Sequence, residues 1–223
     1  MKTKKLFFAL LLLFLVINTY GQGIGISASY NMAKQKIILD GEVQPSVDFV
    51  HFKNLASFGF GINYDVELTD NLYGELGFNY LKKGIKVFIE DGAYYDGDYH
   101  DANEKMEINY IQLPFYLKYN FEVGDDMYVF GYGGIDVGLA IGGKYMLIGD
   151  DTKIEEKIDI GSHPDDDVKP LDMGLTLGGG LLIKNMELRV GFTKGLYDIV
   201  PWKDWKTFNN IFFFGVGYRF DLN

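Results

Sequence analysis

Three histidines, His51, His100 and His163, are the residues of this chain best suited to chemistry, and each falls in a long polar stretch. Histidine beside aspartate is a common general base for hydrolysis, and Ser162, directly before His163, is a nucleophile of the kind acyl transfer uses. Neighbouring residues do not easily turn their side chains toward each other, however, and no further signature accompanies the pair. Solvated loop groups are the simpler account, so no catalytic residue is assigned. A second constellation is acidic: the run Asp91-Gly92-Ala93-Tyr94-Tyr95-Asp96-Gly97-Asp98-Tyr99-His100-Asp101, then Asp150-Asp151, then Asp165-Asp166-Asp167. Carboxylates at this density suit a hard cation such as calcium, and the tyrosines suit a sugar or protein partner. The EF-hand spacing is absent, so exposed acidic loops without a bound ion are expected, and neither a metal ligand nor a cofactor is assigned.

The elements that carry these loops follow from the rest of the chain. At 223 residues, 48% apolar and 16% aromatic, the sequence fits one folded domain and is too apolar for disorder. It opens with Lys2, Lys4 and Lys5, the unbroken apolar run Leu6 to Ile17, and then Asn18-Thr19-Tyr20-Gly21-Gln22. This is the plan of a secretory signal peptide with small residues where the peptidase reads, so residues 1–21 are expected to be removed and residues 22–223 to form the mature domain. As a helical anchor the run is too short, covering about 18 Å of a hydrocarbon core roughly 30 Å thick. The chain has no cysteine, which excludes disulfides, thiolate metal sites and a lipid anchor on that residue. Its formal charge of −10, more negative still without the leader's lysines, argues against nucleic acid as a partner. No later stretch is long and apolar enough for a spanning helix, so any membrane would be crossed by strands.

Alternation of period two marks those strands. Phe58, Phe60, Ile62, Tyr64, Val66 and Leu68 alternate with small and polar residues, and the same pattern recurs at Leu72 to Tyr80, Ile111 to Tyr119, Leu171 to Ile183 and Met186 to Phe192. A first strand at Gly23 to Asn31, a fifth between Met127 and Ala140 and a last one from Phe208 to Phe220 make eight. In the fifth, Tyr128, Phe130 and Tyr132 share one parity and Ile135, Val137 and Leu139 the other, which predicts a β-bulge at Gly133-Gly134. Three connections are tight, Thr69-Asp70-Asn71, Glu122 to Asp126 and Lys184-Asn185; the other four, near 32–54, 82–105, 141–169 and 195–207, are long and polar. Strict alternation of short and long connections is the plan of an antiparallel up-and-down transmembrane β-barrel, with tight periplasmic turns and longer extracellular loops.

A soluble eight-stranded barrel of the lipocalin kind shares the periodicity with its sense reversed. Three features favour the membrane. The chain end Phe212 to Phe220 places Phe212, Phe214, Val216, Tyr218 and Phe220 on one face, like the signal read by the barrel-assembly machinery of the outer membrane. The expected interior face carries Asp65, Glu75, Lys118, Asp136, Asp172, Glu187, Arg189 and Arg219, a set that fits an ion-paired polar lumen and no dry apolar core. Tyr30, Tyr80, Tyr119 and Phe220 lie near strand ends, as interfacial girdles do.

The segments Asn109-Tyr110-Ile111-Gln112-Leu113-Pro114-Phe115-Tyr116-Leu117-Lys118-Tyr119, Asp172 to Gly180 and Gly191 to Val200 with its Gly195-Leu196-Tyr197-Asp198-Ile199, together with Leu81-Lys82-Lys83-Gly84, resemble the PorT-type outer-membrane β-barrel family. Gln112 stands where that family usually carries glutamate. The resemblance implies a barrel in the outer membrane of a Gram-negative bacterium; its name-giving member is associated with secretion and gliding machinery. The expected function is non-enzymatic, structural or interactive, with outer-membrane lipid around the barrel and an envelope protein or surface ligand at the loops. A subunit of a secretion or gliding assembly, a membrane-embedded hydrolase using loop Asp and His groups, and a soluble periplasmic binder stand as the alternatives.

Overall fold

The computed structural model describes residues 22–44, 50–95, 98–148 and 153–222, with side chains at all of these except 22 and 91–101. The expected leader therefore lies outside the described residues, as do Asp150-Asp151 and the side chains of the Asp91 to Asp101 run with His100. The chain folds as β1 (Gln22–Leu39), β2 (Glu42–Val43), β3 (Val50–Lys53), β4 (Leu55–Thr69), β5 (Leu72–Tyr95), β6 (Asp98–Gly124), β7 (Met127–Ile148), β8 (Lys153–Lys157), β9 (Leu171–Ile183), β10 (Met186–Gly195) and β11 (Trp205–Leu222). Eight of these form an antiparallel ring in the order β1-β4-β5-β6-β7-β9-β10-β11, which β11 closes by pairing with β1 from Gln22↔Leu222 to Leu39↔Trp205. Closure leaves the ring without an edge, as a sheet in lipid requires.

One rim carries the tight turns. Register runs to Thr69↔Leu72, Gly124↔Met127 and Ile183↔Met186, leaving two-residue connections in which Asp126 and Lys184 adopt positive φ of 55° and 53°. At the other rim the expected long loops are largely strand. β5 and β6 run 24 and 27 residues, more than twice the roughly 9–11 residues needed to cross a bilayer. β1 continues past Asn31 to Leu39, and β2, β3 and β8 add short pieces to the wall.

The two halves of the barrel wear opposite faces. Toward the tight-turn rim the outward residues are apolar and exposed: Phe58 is 67% exposed, Phe60 64% and Leu177 65%, while Lys118, Glu75, Asp136 and Asp172 inside are about 1% exposed. That is the inverse of a soluble barrel. Beyond Tyr30 and Tyr80 the sense flips, with Ile37, Ile85 and Val87 turned inward and Lys34, Lys36, Lys82 and Lys105 on the outer face. Tyr80 donates a 3.0 Å hydrogen bond to Asn109, and just above it Glu107 pairs with Lys82 at 3.5 Å and with Lys105 at 2.5 Å. Burial opposes the Glu107 charge, but the two lysines outweigh it and hold its pKa below the usual carboxylate range. The apolar belt thus ends at an aromatic girdle and a collar of lysines.

The bulge expected at Gly133-Gly134 is not there; pairing is continuous through Leu117↔Gly133 and Tyr116↔Gly134. Phe130 and Tyr132 point into the lumen with Asp136, at one parity, because Gly178, Gly180 and Gly191 on β9 and β10 leave the space for their rings. The extra residue lies farther on, at Ile141, between Tyr110↔Ala140 and Asn109↔Gly142. It reverses the parity of β7 where the outer face changes from apolar to charged.

Candidate functional site: a closed lumen beneath an apolar cup

The lumen charges named from the alternation converge in space. Lys118 on β6 reaches Asp65 on β4 at 2.5 Å, Glu75 on β5 at 3.3 Å and Glu187 on β10 at 3.5 Å. Arg189 grips Glu75 with both terminal nitrogens, at 2.9 and 3.0 Å, and also pairs with Glu187; Arg219 lies 3.6 Å from Asp65. Three cations and three carboxylates therefore meet in one layer, with charges balanced and the Arg–Glu fork supplying directional bonds. Arg189 also lies over the Tyr132 ring, 5.2 Å from its centroid.

A second layer surrounds Asp136, which accepts hydrogen bonds from Gln112 and Tyr116 at 2.6 Å each, from Thr176, and from Thr193 at 3.5 Å. All four donors are neutral. An amide at 112 suits this place, because a glutamate there would set a second carboxylate against Asp136. In a third layer Lys83 pairs with Asp172 at 2.9 Å, and Asn209 links Asp172 at 3.1 Å to Gln35 at 3.2 Å. Cavities of about 60 and 20 Å³ lie along this column, the larger lined by polar groups such as Ser29, Asn63, Asn79 and Gln112. Side chains fill an eight-stranded interior, and here they fill it with ion pairs.

The family-like motifs acquire physical roles in this column. In Leu81-Lys82-Lys83-Gly84, Lys83 turns in to Asp172 and Lys82 turns out to Glu107, while Gly84 at φ 146° runs against the Met106 carbonyl with no room for a Cβ. Pro114, lacking an N–H, sits where the β5–β6 pairing skips from Leu76↔Phe115 to Asn79↔Gln112, and Gly77 leaves space for its ring. Asp198 pins the last long connection: it accepts bonds from the Thr207 and Val200 amides at 2.9 and 3.3 Å and from Lys169 at 2.8 Å. The pinned turn drives Ile199 and Val200 into the barrel mouth, where with Ile158 and Val168 they pack on Ile108, Tyr110 and Ala140. Asp198→Ala removes a charged acceptor from three donors and should loosen this connection by about 1.5 to 3 kcal/mol. Limited proteolysis of folded protein, with cuts expected between 196 and 204 while the barrel stays intact, checks it.

Above this cover opens a cavity of about 680 Å³. Its walls are the inward faces of the strand extensions: Ile37 and Leu39, Val50 and Phe52, Ile85, Val87 and Ile89, then Met106 and Tyr145 on the adjoining strands, together with Trp202 and Trp205. Glu104 and Glu156 line it beside Tyr145, whose hydroxyl pKa is raised by burial and by both carboxylates. Sequence reasoning missed this cup. Its signal was the continued alternation in residues 32–54 and 82–105, masked because inward residues there are apolar and outward ones charged, the reverse of the membrane belt.

Among the described residues, His51 and His163 do not assemble a site. His51 on β3 stacks on Phe88 and lies 3.4 Å from Glu90, and His163 lies 3.2 Å from Asp165. Asp166 accepts the His163 amide at 2.6 Å, and no hydrogen bond joins Ser162 to His163 among the described residues. No group of three or more metal-binding side chains occurs among them either.

A closed ring of eight antiparallel strands with an apolar belt outside and paired charges inside defines an outer-membrane β-barrel. The chain belongs to the family described as outer membrane protein beta-barrel domain, whose model matches residues 19–200. No curated protein matches it. Among solved structures it is similar to Ail, the attachment invasion locus protein of Yersinia pestis, at 16% identity over 91% of this chain and 100% of that one, with a TM-score of 0.36. It is also similar to OprG from Pseudomonas aeruginosa, at 12% identity over 91% and 97%, TM-score 0.41, and to the outer membrane protease OmpT from Escherichia coli, at 10% over 90% and 97%, TM-score 0.44. These likenesses carry nothing about activity. The place of the protein is the outer membrane, with lipid around its belt.

Proposed function

We propose that the protein is a non-enzymatic surface receptor: a barrel closed along its lumen that presents the cup at its long-loop rim to a ligand outside the cell. The observation that carries this reading is the contrast between the packed column of charged and polar side chains, with cavities of about 60 and 20 Å³, and the cavity of about 680 Å³ above it. A diffusion pore needs a continuous aqueous path, whereas a receptor needs a recess in a rigid wall. Tight turns at the opposite rim fit the periplasmic side, and residues 1–21 serve as the export signal. The PorT-type resemblance agrees with an envelope role, and a neighbouring envelope protein could share the same rim.

Reconstitution in planar bilayers tests the closed lumen: no steady conductance is expected, and sustained ohmic openings would overturn the reading. The same preparation should migrate differently on a gel before and after boiling, since a barrel closed by eight hydrogen-bonded strands resists detergent until heated. Mobility unchanged by boiling would remove the barrel on which the reading stands.

A further inference from the structure

We propose that the cup binds a compact apolar molecule bearing a cationic head group. The inference rests on the receptor reading and deepens it by naming a ligand class. Three observations lead to it. The cavity volume of about 680 Å³ lies within the range of roughly 300 to 1,000 Å³ typical of small-molecule sites. Its walls are aliphatic and aromatic, contributed by Ile37, Val87, Ile89, Met106, Trp202 and Trp205, and they are held by paired strands on one side and the Asp198-anchored connection on the other. Among the described residues, the charges that line it are three carboxylates, Glu104, Glu156 and Asp167, against one ammonium, Lys157.

The last observation sets the head group. Lysines of the same strand extensions face outward, as Lys36, Lys86 and Lys105 do, so the inward charge of the cup is opposite in sign to its outer collar. Glu104 and Glu156 flank Tyr145 on adjacent strands, since Tyr145 pairs with Glu156 and Met106, and Glu104 with Leu147. Asp167 is engaged by the Asp159 amide at 2.9 Å. An ammonium beside Glu104 and Glu156 gains attraction from both and can donate a hydrogen bond to the Tyr145 oxygen, whereas a carboxylate there meets two like charges. The apolar body then removes water from the aliphatic wall and the two indoles.

Trp202 and Trp205 make a direct reporter. They are the two tryptophans of the chain and both line the cup, so intrinsic indole emission comes from this place alone. The test uses the full-length protein in lipid nanodiscs, titrated with 1-aminoadamantane and, separately, with adamantane-1-carboxylate, which share one apolar body and differ in charge. The expected result is a saturable blue shift with the amine at least about tenfold tighter than with the carboxylate, or about 1.4 kcal/mol. Glu104→Gln combined with Glu156→Gln should erase that preference, and Val87→Lys should abolish the shift; gel mobility before boiling confirms that each variant is folded. Equal or tighter binding of the carboxylate overturns the cationic class while the receptor reading stands. No saturable shift with either compound overturns the small-molecule site altogether. The conductance result decides the closed lumen independently of both outcomes, and the wild-type comparison needs no variant to fold.

Discussion

Replacing Lys118 with methionine should cost the folded barrel about 3 to 5 kcal/mol, the range seen when one partner is removed from a buried ion pair. Lys118 is buried and serves three carboxylates, so no solvent stands ready to replace it. Without it Arg189 remains committed to Glu75 and Glu187, and Asp65 keeps only Arg219 at 3.6 Å. The layer then carries one uncompensated negative charge in a place remote from water, which is the source of the penalty. Methionine keeps the stem's packing against the Phe130 ring, 5.6 Å from the ammonium, so loss of volume contributes little. Adding Asp65→Asn to Lys118→Met restores the charge balance and should return a large part of the loss, a coupling that a packing defect would not show. Urea unfolding in lipid vesicles, followed by the gel-mobility shift, measures all three proteins. If Lys118→Met unfolds with wild type, the ion-pair column is not what holds this lumen.

The parts of this architecture that were legible in the sequence share one physical origin. Inside the belt every outward position faces lipid and every inward one faces a polar lumen, so the period-two signal is clean, and it located all eight strands and the charges Asp65, Glu75, Lys118, Glu187, Arg189 and Arg219. Outside the belt the selection on each face reverses. Ile85, Val87 and Ile89 still alternate with Lys86 and Phe88, but Lys82-Lys83 and the acidic run from Glu90 onward read as a polar loop when composition is averaged. Lys83 shows how local this is: flanked by another lysine it looks solvated, yet it is buried against Asp172, a residue 89 positions later in the chain. Parity within β7 misled for a related reason. By type Phe130 and Tyr132 match the outward Ile135, Val137 and Leu139, but they fill lumen space left by glycines on β9 and β10, which only the register reveals. The cup could not be read because it is assembled from seven separate segments whose apolar residues are unremarkable one by one.

Arginine at Val190 or Leu177 should destabilise the barrel by about 2 to 4 kcal/mol each, the cost of a cation on the lipid face near the bilayer middle. Both point outward, Val190 at 38% and Leu177 at 65% exposure, and each lies well inside the belt, four and six residues from the tight-turn rim at Met186 and Ile183. Leu175 faces lipid as the alternation predicted, but it pairs with Lys194, a lysine at the belt's upper edge, so Leu175→Arg should cost less than either. Ile183→Arg, beside the turn, should cost about 0 to 1 kcal/mol, as interfacial positions do. Gly178→Arg tests the opposite face: a side chain there meets the Tyr132 ring and the Val190 carbonyl inside the lumen, so its cost comes from crowding and should not depend on bilayer thickness. Equilibrium folding into vesicles of two lipid chain lengths separates the cases. The penalties at Val190 and Leu177 should grow in the thicker bilayer, where the same residues lie deeper, while that at Gly178 stays constant. A flat profile across Ile183, Leu177 and Leu175 would mean that the belt is not set against hydrocarbon in this register.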